Sequence, residues 1–244
     1  MSSAGLGVGF LLSRSWAIYR AHLGMILLVA GGVVLVVDVI LAAGLGQLTA
    51  GYDPSSSSGG QAVSIAGSAF VTTPLITAML ARAVLDVAAG DEPSARRSVR
   101  CGLDLFAPLL IVIVLWAAAV FAGLLALFVP GIYIAVSWYF GAQAVVIDDR
   151  RGLAALARSG ELVRGRWWRA AATGVVLQVA VLIPGSLVSV VFDEAARSAN
   201  SMAILVLGGI VAQTFALPFV AIGATLFYLD LRSTPRPTPN RPSP

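Results

Sequence analysis

Six apolar stretches, each separated from the next by polar residues or a turn signal, run along the chain. They are Leu23–Leu45, Gln61–Ala83, Leu105–Val129, Gly131–Ile147, Ala170–Phe192 and Met202–Leu229. A helix rises about 1.5 Å per residue, so roughly 20 apolar residues cross a bilayer core. The pattern predicts an all-α, polytopic membrane protein with six transmembrane helices. The fourth stretch is the shortest. The last is the longest and is expected to tilt, or to leave the membrane near Tyr228. Between the third and fourth stretches the turn signal is Pro130-Gly131, which predicts a tight hairpin. The same dipeptide at Pro184-Gly185 lies too far inside the fifth stretch for a hairpin, so a kink or local break is expected there. Pro74, Pro108 and Pro218 mark further kinks or a helix start.

The polar positions set the orientation. All the basic residues are arginine, which fits codon bias in a GC-rich prokaryotic genome. Arg14 and Arg20 precede the first stretch. Arg82, Arg96, Arg97 and Arg100 surround the second loop, and Arg150, Arg151, Arg158, Arg164, Arg166 and Arg169 surround the fourth. Arg232, Arg236 and Arg241 follow the last stretch. With six crossings these fall on one side and Arg197 alone on the other, so the positive-inside rule puts both termini in the cytoplasm. The expected location is the bacterial cytoplasmic (inner) membrane. Residues 1–232 read as one integral membrane domain. The segment 233–244 has no apolar anchor and reads as a disordered cytoplasmic tail, and the Ser/Gly-rich segment around Tyr52–Gly60, with Asp53, reads as a flexible external loop.

Composition narrows the functions. The chain is 58% hydrophobic and 11% charged, outside the range of soluble domains. Its net charge of +4 is gathered in short loops beside apolar stretches, which favours anionic lipid over nucleic acid as a partner. Cys101 is the sole cysteine and His22 the sole histidine, which excludes an intrachain disulfide and multi-histidine zinc sites. No cofactor is expected. The first apolar stretch begins behind an arginine-bearing segment and runs past the length of a signal-peptide core, so it is read as a retained helix.

A segment recurs. Residues 12–20, LSRSWAIYR, align with residues 156–164, LARSGELVR, and each precedes an apolar stretch. Arg97-Ser98 with Arg100 is a fainter third copy before the third stretch. On helices, Leu12, Trp16, Tyr19 and Leu23 would share one face, and Leu156, Gly160, Val163 and Trp167 the equivalent one. The implied unit is an interfacial helix followed by a membrane hairpin. Arg14, Arg20, Arg158 and Arg164 would reach lipid headgroups or a cytoplasmic partner. Removing Arg158 and Arg164 is expected to weaken that contact and leave insertion intact. Trp16, Trp167 and Trp168 read as interface anchors.

The segments FLLSRSWAIYR and VPGIYIAVSWYFGAQAVVIDDRRGLAALARSGELVRGRWWR, with the last long stretch, resemble the membrane domain fused to some glycerophosphodiester phosphodiesterases, and related uncharacterised six-helix proteins of bacteria. The resemblance implies architecture, not chemistry. No soluble phosphodiesterase domain is expected within this sequence, so the acid, base and metal-binding residues of that domain are carried over to no position here.

Asp38 is the one ionisable residue well inside an apolar stretch. It could serve a proton or cation relay, make a structural hydrogen bond between helices, or lie close to the outer interface. Gln143, Gln178 and Gln213, with Ser137, Thr72, Thr73 and Thr77, could line a polar cavity or bridge helices. Gly208, Gly209, Ala212 and Ala216 permit close approach of the last helix. Asp148-Asp149 beside Arg150-Arg151 read as a solvated ion-pair cluster, since no histidine or third spaced carboxylate accompanies them. No nucleophile elbow is present. The expected function is a noncatalytic scaffold, accessory or regulatory protein at the cytoplasmic lipid surface, with membrane lipids and a cytoplasmic or membrane protein as partners. A small permease and a lipid-processing enzyme are the alternatives.

Overall fold

The computed structural model describes residues 7–52 and 67–234. The segment around Asp53, the first residues of the Gln61–Ala83 stretch, and the tail with Arg236 and Arg241 lie outside the described residues. Ten α-helices occur among those described: α1 Val8–Ala21, α2 Leu23–Gly44, α3 Thr73–Ala89, α4 Ala95–Asp104, α5 Phe106–Ala126, α6 Phe128–Ser137, α7 Gly141–Asp148, α8 Leu153–Val163, α9 Trp167–Ser198 and α10 Met202–Ser233. A π-helical turn, Ser68–Thr72, leads into α3, and Pro74, which has no N–H to give, stands just after the two meet. Six helical segments are long and apolar enough to cross a membrane: α2, α3 with the end of its leading turn, α5, α6 and α7 taken together, α9 and α10.

A short helix precedes each of the first, third and fifth crossing segments. These are α1, α4 and α8. Each carries an Arg-Ser pair (Arg14-Ser15, Arg97-Ser98, Arg158-Ser159) whose serine is fully buried. In α8 the buried face is Ala155, Leu156, Ser159 and Val163. In α1 it is Leu11, Ser15 and Tyr19, which shifts the expected stripe by one position. Trp16, expected on that face, points outward instead and is 51% exposed.

The centre of the bundle is α3 and the second half of α10. Pro74 to Ala81 of α3 are all buried, as are Ala221–Thr225 and Phe227, Tyr228 and Leu231 of α10. Leu11, Phe140, Leu156, Val163, Leu177 and Tyr228 belong to one packed cluster, so α1, α7, α8 and α9 meet the end of α10. Tyr228, near which the last stretch was expected to leave the membrane, packs inside the bundle. It is fully buried, because α7 and α8 close over it.

Two breaks differ from the expected ones. The hairpin between the third and fourth crossing segments turns at Leu127, in extended conformation, and Pro130 lies within the first turn of α6. Gly131 serves close approach: a Cβ there would lie 2.7 Å from the Leu124 backbone nitrogen, and one at Gly123 would lie 2.9 Å from the Gly131 Cα. The fourth crossing segment, expected as one helix, is interrupted at Trp138–Phe140. Ser159 of α8 bridges the gap. Its hydroxyl donates to the Ser137 carbonyl at 2.8 Å and accepts from the Phe140 N–H at 3.2 Å. Two backbone groups that the interruption exposes are satisfied by one side chain. The fifth crossing segment, by contrast, continues through Pro184 as a single helix.

The α3–α4 connection begins at Gly90, whose φ of +85° is the left-handed conformation that ends a helix. At the opposite end of the bundle, Ala50 accepts from the Met202 N–H at 3.1 Å and Tyr52 N–H donates to Asn200 at 3.1 Å. The Tyr52 hydroxyl donates to Asp193 at 2.9 Å and accepts from Arg197 at 2.9 Å, and Arg197 also pairs with Asp193. These contacts tie the segment after α2 to the α9–α10 turn.

Candidate functional site

Asp148 closes α7, and the left-handed conformation of Asp149 turns the chain toward α8. One Asp148 oxygen accepts from Arg158 Nε at 2.7 Å and from the Tyr228 hydroxyl at 2.9 Å. The other faces Arg232 Nε at 3.2 Å. The side chain is only 7% exposed. The hydrogen bond from Arg158 to Asp148 pushes the Arg158 guanidinium further above its ordinary range, so it stays charged. Arg158 also lies 3.5 Å from Glu161.

Beside this group, Arg169 pairs with Asp230 at 3.1 Å and stands over the Phe227 ring at 5.8 Å. Arg166 donates to the carbonyls of Leu231 and Thr234 at 3.2 and 2.9 Å. On α3, Asp86 is buried between Arg82 at 2.9 Å and Arg97 at 3.7 Å. A sunken carboxylate is tolerated where guanidinium groups offset its desolvation. This network binds the ends of α7, α8, α9 and α10 together. A carboxylate held by two guanidinium groups and a phenol is a poor general base, because the surrounding donors favour its ionised form.

The expected contact residues divide. Arg14, Arg20 and Arg164 are exposed and have no partner among the described residues, as do Arg96 and Arg150. Arg158 is committed to Asp148, so removing it takes one of two guanidinium partners from a sunken carboxylate as well as removing a surface cation. Asp148 and Asp149 do not act as one solvated cluster: Asp148 is sunken, and exposed Asp149 pairs with Arg151 at 3.8 Å.

The four residues of the expected buried polar site divide too. Asp38 accepts from Gln213 Nε2 at 2.9 Å, joining α2 to α10. Gln143 and Gln178 lie elsewhere, in a cavity of about 410 Å³ between α3, α5, α7, α9 and α10. Thr73, Thr77, Trp116, Trp138 and Tyr139 share its wall, whereas Ser137 and Thr72 are not among its lining residues. Gly208, read as a close-approach residue, packs against Phe192 of α9.

Sequence reasoning passed over Tyr228, Asp86, Asp230 and the aromatic wall of the cavity. Arg82 and Asp86 had a readable signal in their i,i+4 spacing. The others come together only through contacts between distant helices.

A protein-family model described as a domain of unknown function (DUF7847) matches residues 96–231, more than half of the chain. The chain belongs to this family. The matched region runs from α4 to the end of α10 and so holds Asp148, Arg158, Tyr228 and both cavity glutamines, while Arg14, Arg20 and Asp38 precede it. No curated protein and no solved structure matches the chain.

Proposed function

We propose that this is a noncatalytic integral membrane protein of the bacterial cytoplasmic membrane, with both termini inside, that scaffolds or regulates a partner at the anionic lipid surface. The observation that carries the reading is the division among its arginines. Arg158, Arg166, Arg169 and Arg232 are engaged in holding the helix ends together. Arg14, Arg20, Arg96, Arg150 and Arg164 stand exposed on or beside the three short helices. Cations that the fold does not consume, beside six apolar crossing helices, suit phosphate headgroups or an acidic partner surface. Trp16 and Trp168, both exposed, suit the same interface. Three short helices, each before a pair of crossing segments, accord with a repeated unit of interfacial helix plus hairpin, the architecture that the resemblance to the phosphodiesterase membrane domain implies.

The test is mild extraction followed by mass spectrometry of retained lipids and copurifying proteins. Wild type is compared with a variant carrying Arg14→Ala, Arg20→Ala and Arg164→Ala. The expected outcome is loss of anionic phospholipid or of a specific protein partner, with membrane insertion unchanged. Identical lipid and protein recovery from both would overturn the reading.

A further inference from the structure

The cavity that holds Gln143 and Gln178 points to a second property, independent of the arginine-rich end. Gln143 is 4% exposed, and its Oε1 has no hydrogen-bond partner. An unpaired buried amide oxygen costs about 1–3 kcal/mol, so a site that retains one invites a partner. Among the described residues, none that lines the cavity is charged. Its polar groups are neutral ones, Gln143, Gln178, Thr73, Thr77 and Tyr139, set among the indoles of Trp116 and Trp138.

The cavity shares a wall with a second void on its outer side. Trp116, Tyr139 and Gln178 line both it and an adjoining crevice of about 480 Å³ between the α5–α6 hairpin and α9. The outer wall of that crevice includes Val175 and Leu182, which are 62% and 66% exposed on the apolar side of a crossing helix. A ligand entering here comes from the lipid phase and brings its tail with it. An ionised headgroup would meet no countercharge inside, in surroundings where a bare charge is costly.

We propose that this cavity binds an uncharged, hydroxyl-bearing lipid, its hydroxyl against Gln143 and its chain leaving through the crevice past Gln178. A hydroxyl both donates and accepts, and so matches a carboxamide presenting either its oxygen or its nitrogen. The terminal amide torsion is soft enough to turn Oε1 toward the ligand.

The experiment uses the full-length protein in nanodiscs of phosphatidylethanolamine and phosphatidylglycerol, doped with a diazirine-bearing diacylglycerol. Parallel discs carry a phosphatidic acid with the same acyl chains. After photolysis, the labelled peptides are mapped. The diacylglycerol is expected to label the peptides around Trp116 and Tyr139, and the phosphatidic acid to label them much less. Gln143→Leu is expected to lower the diacylglycerol labelling there by about fivefold to tenfold, the loss of one buried hydrogen bond. Gln178→Leu, at an exposed position where folding is not at stake, should lower it in the same direction. Equal labelling of those peptides by the two probes would overturn the proposal. So would labelling by diacylglycerol that Gln178→Leu, and a folded Gln143→Leu, leave unchanged.

Discussion

At the residue scale, the stability of the arginine-rich end converges on Asp148. Arg158→Ala removes the 2.7 Å bond and leaves the carboxylate short of a partner, so it should cost about 2 kcal/mol and lower the thermal midpoint in detergent. Arg150→Ala, at an exposed residue with no partner among those described, should leave that midpoint within about 0.5 kcal/mol of wild type. An equal drop in both would mean that general charge, and not the Asp148 contact, sets the stability. Cys101 provides a separate probe. Burial pushes its thiol above the ordinary cysteine range, although nearby Arg82 works the other way. The thiolate is the reactive form, so a raised value means less of it at neutral pH. Alkylation by a small maleimide should be slower than that of free cysteine at neutral pH. It should keep rising with pH after free cysteine has levelled off. A rate equal to that of free cysteine at neutral pH would count against the burial.

At the element scale, the decisive features are places where one helix repairs another. Ser159→Ala leaves the Ser137 carbonyl and the Phe140 N–H without their bridge, and should cost about 1–3 kcal/mol. Ser15→Ala is the informative control. Ser15 is equally buried, but its hydroxyl donates only to the Leu11 carbonyl of its own helix at 2.8 Å. That carbonyl lies within a helical ladder, so the loss should be smaller. Thermal melts of the two variants would separate a bridging role from burial alone. The α5–α6 hairpin makes a complementary demand on space. A Cβ at Gly131 would press on the Leu124 backbone, which cannot give way as a side-chain end can. Gly131→Ala should therefore destabilise by about 1–3 kcal/mol, read as a lower melting temperature. Pro130-Gly131 was legible as a turn, yet the reason for the glycine was not: the contact lies across the hairpin, and the turn itself falls at Leu127.

At the scale of the whole molecule, the bundle has two unlike ends: the Asp148 network, and the smaller Tyr52–Asp193–Arg197 group. On the proposed orientation the first faces the cytoplasm. In a Cys101→Ser background, a membrane-impermeant maleimide applied to intact cells should label Asn200→Cys and not Asp149→Cys, and labelling reversed between the two would invert the topology. Six apolar crossing segments and the all-α class were readable from sequence, because length and hydropathy act locally and a bilayer leaves few alternatives to a helix. The short helices before the first and fifth segments were readable too, from their arginine and apolar spacing. Partnership was not. That Gln213 meets Asp38 while Gln143 and Gln178 share a cavity depends on how α2, α3, α5, α7, α9 and α10 rotate against one another. Likewise Arg158 looked like any other loop arginine until α7 and α10 brought Asp148 and Tyr228 to it. Hydropathy and charge count are properties of each segment alone, and so the chain declares them directly. Which polar group answers which is set by side chains from helices far apart in sequence, and only the packed bundle decides it.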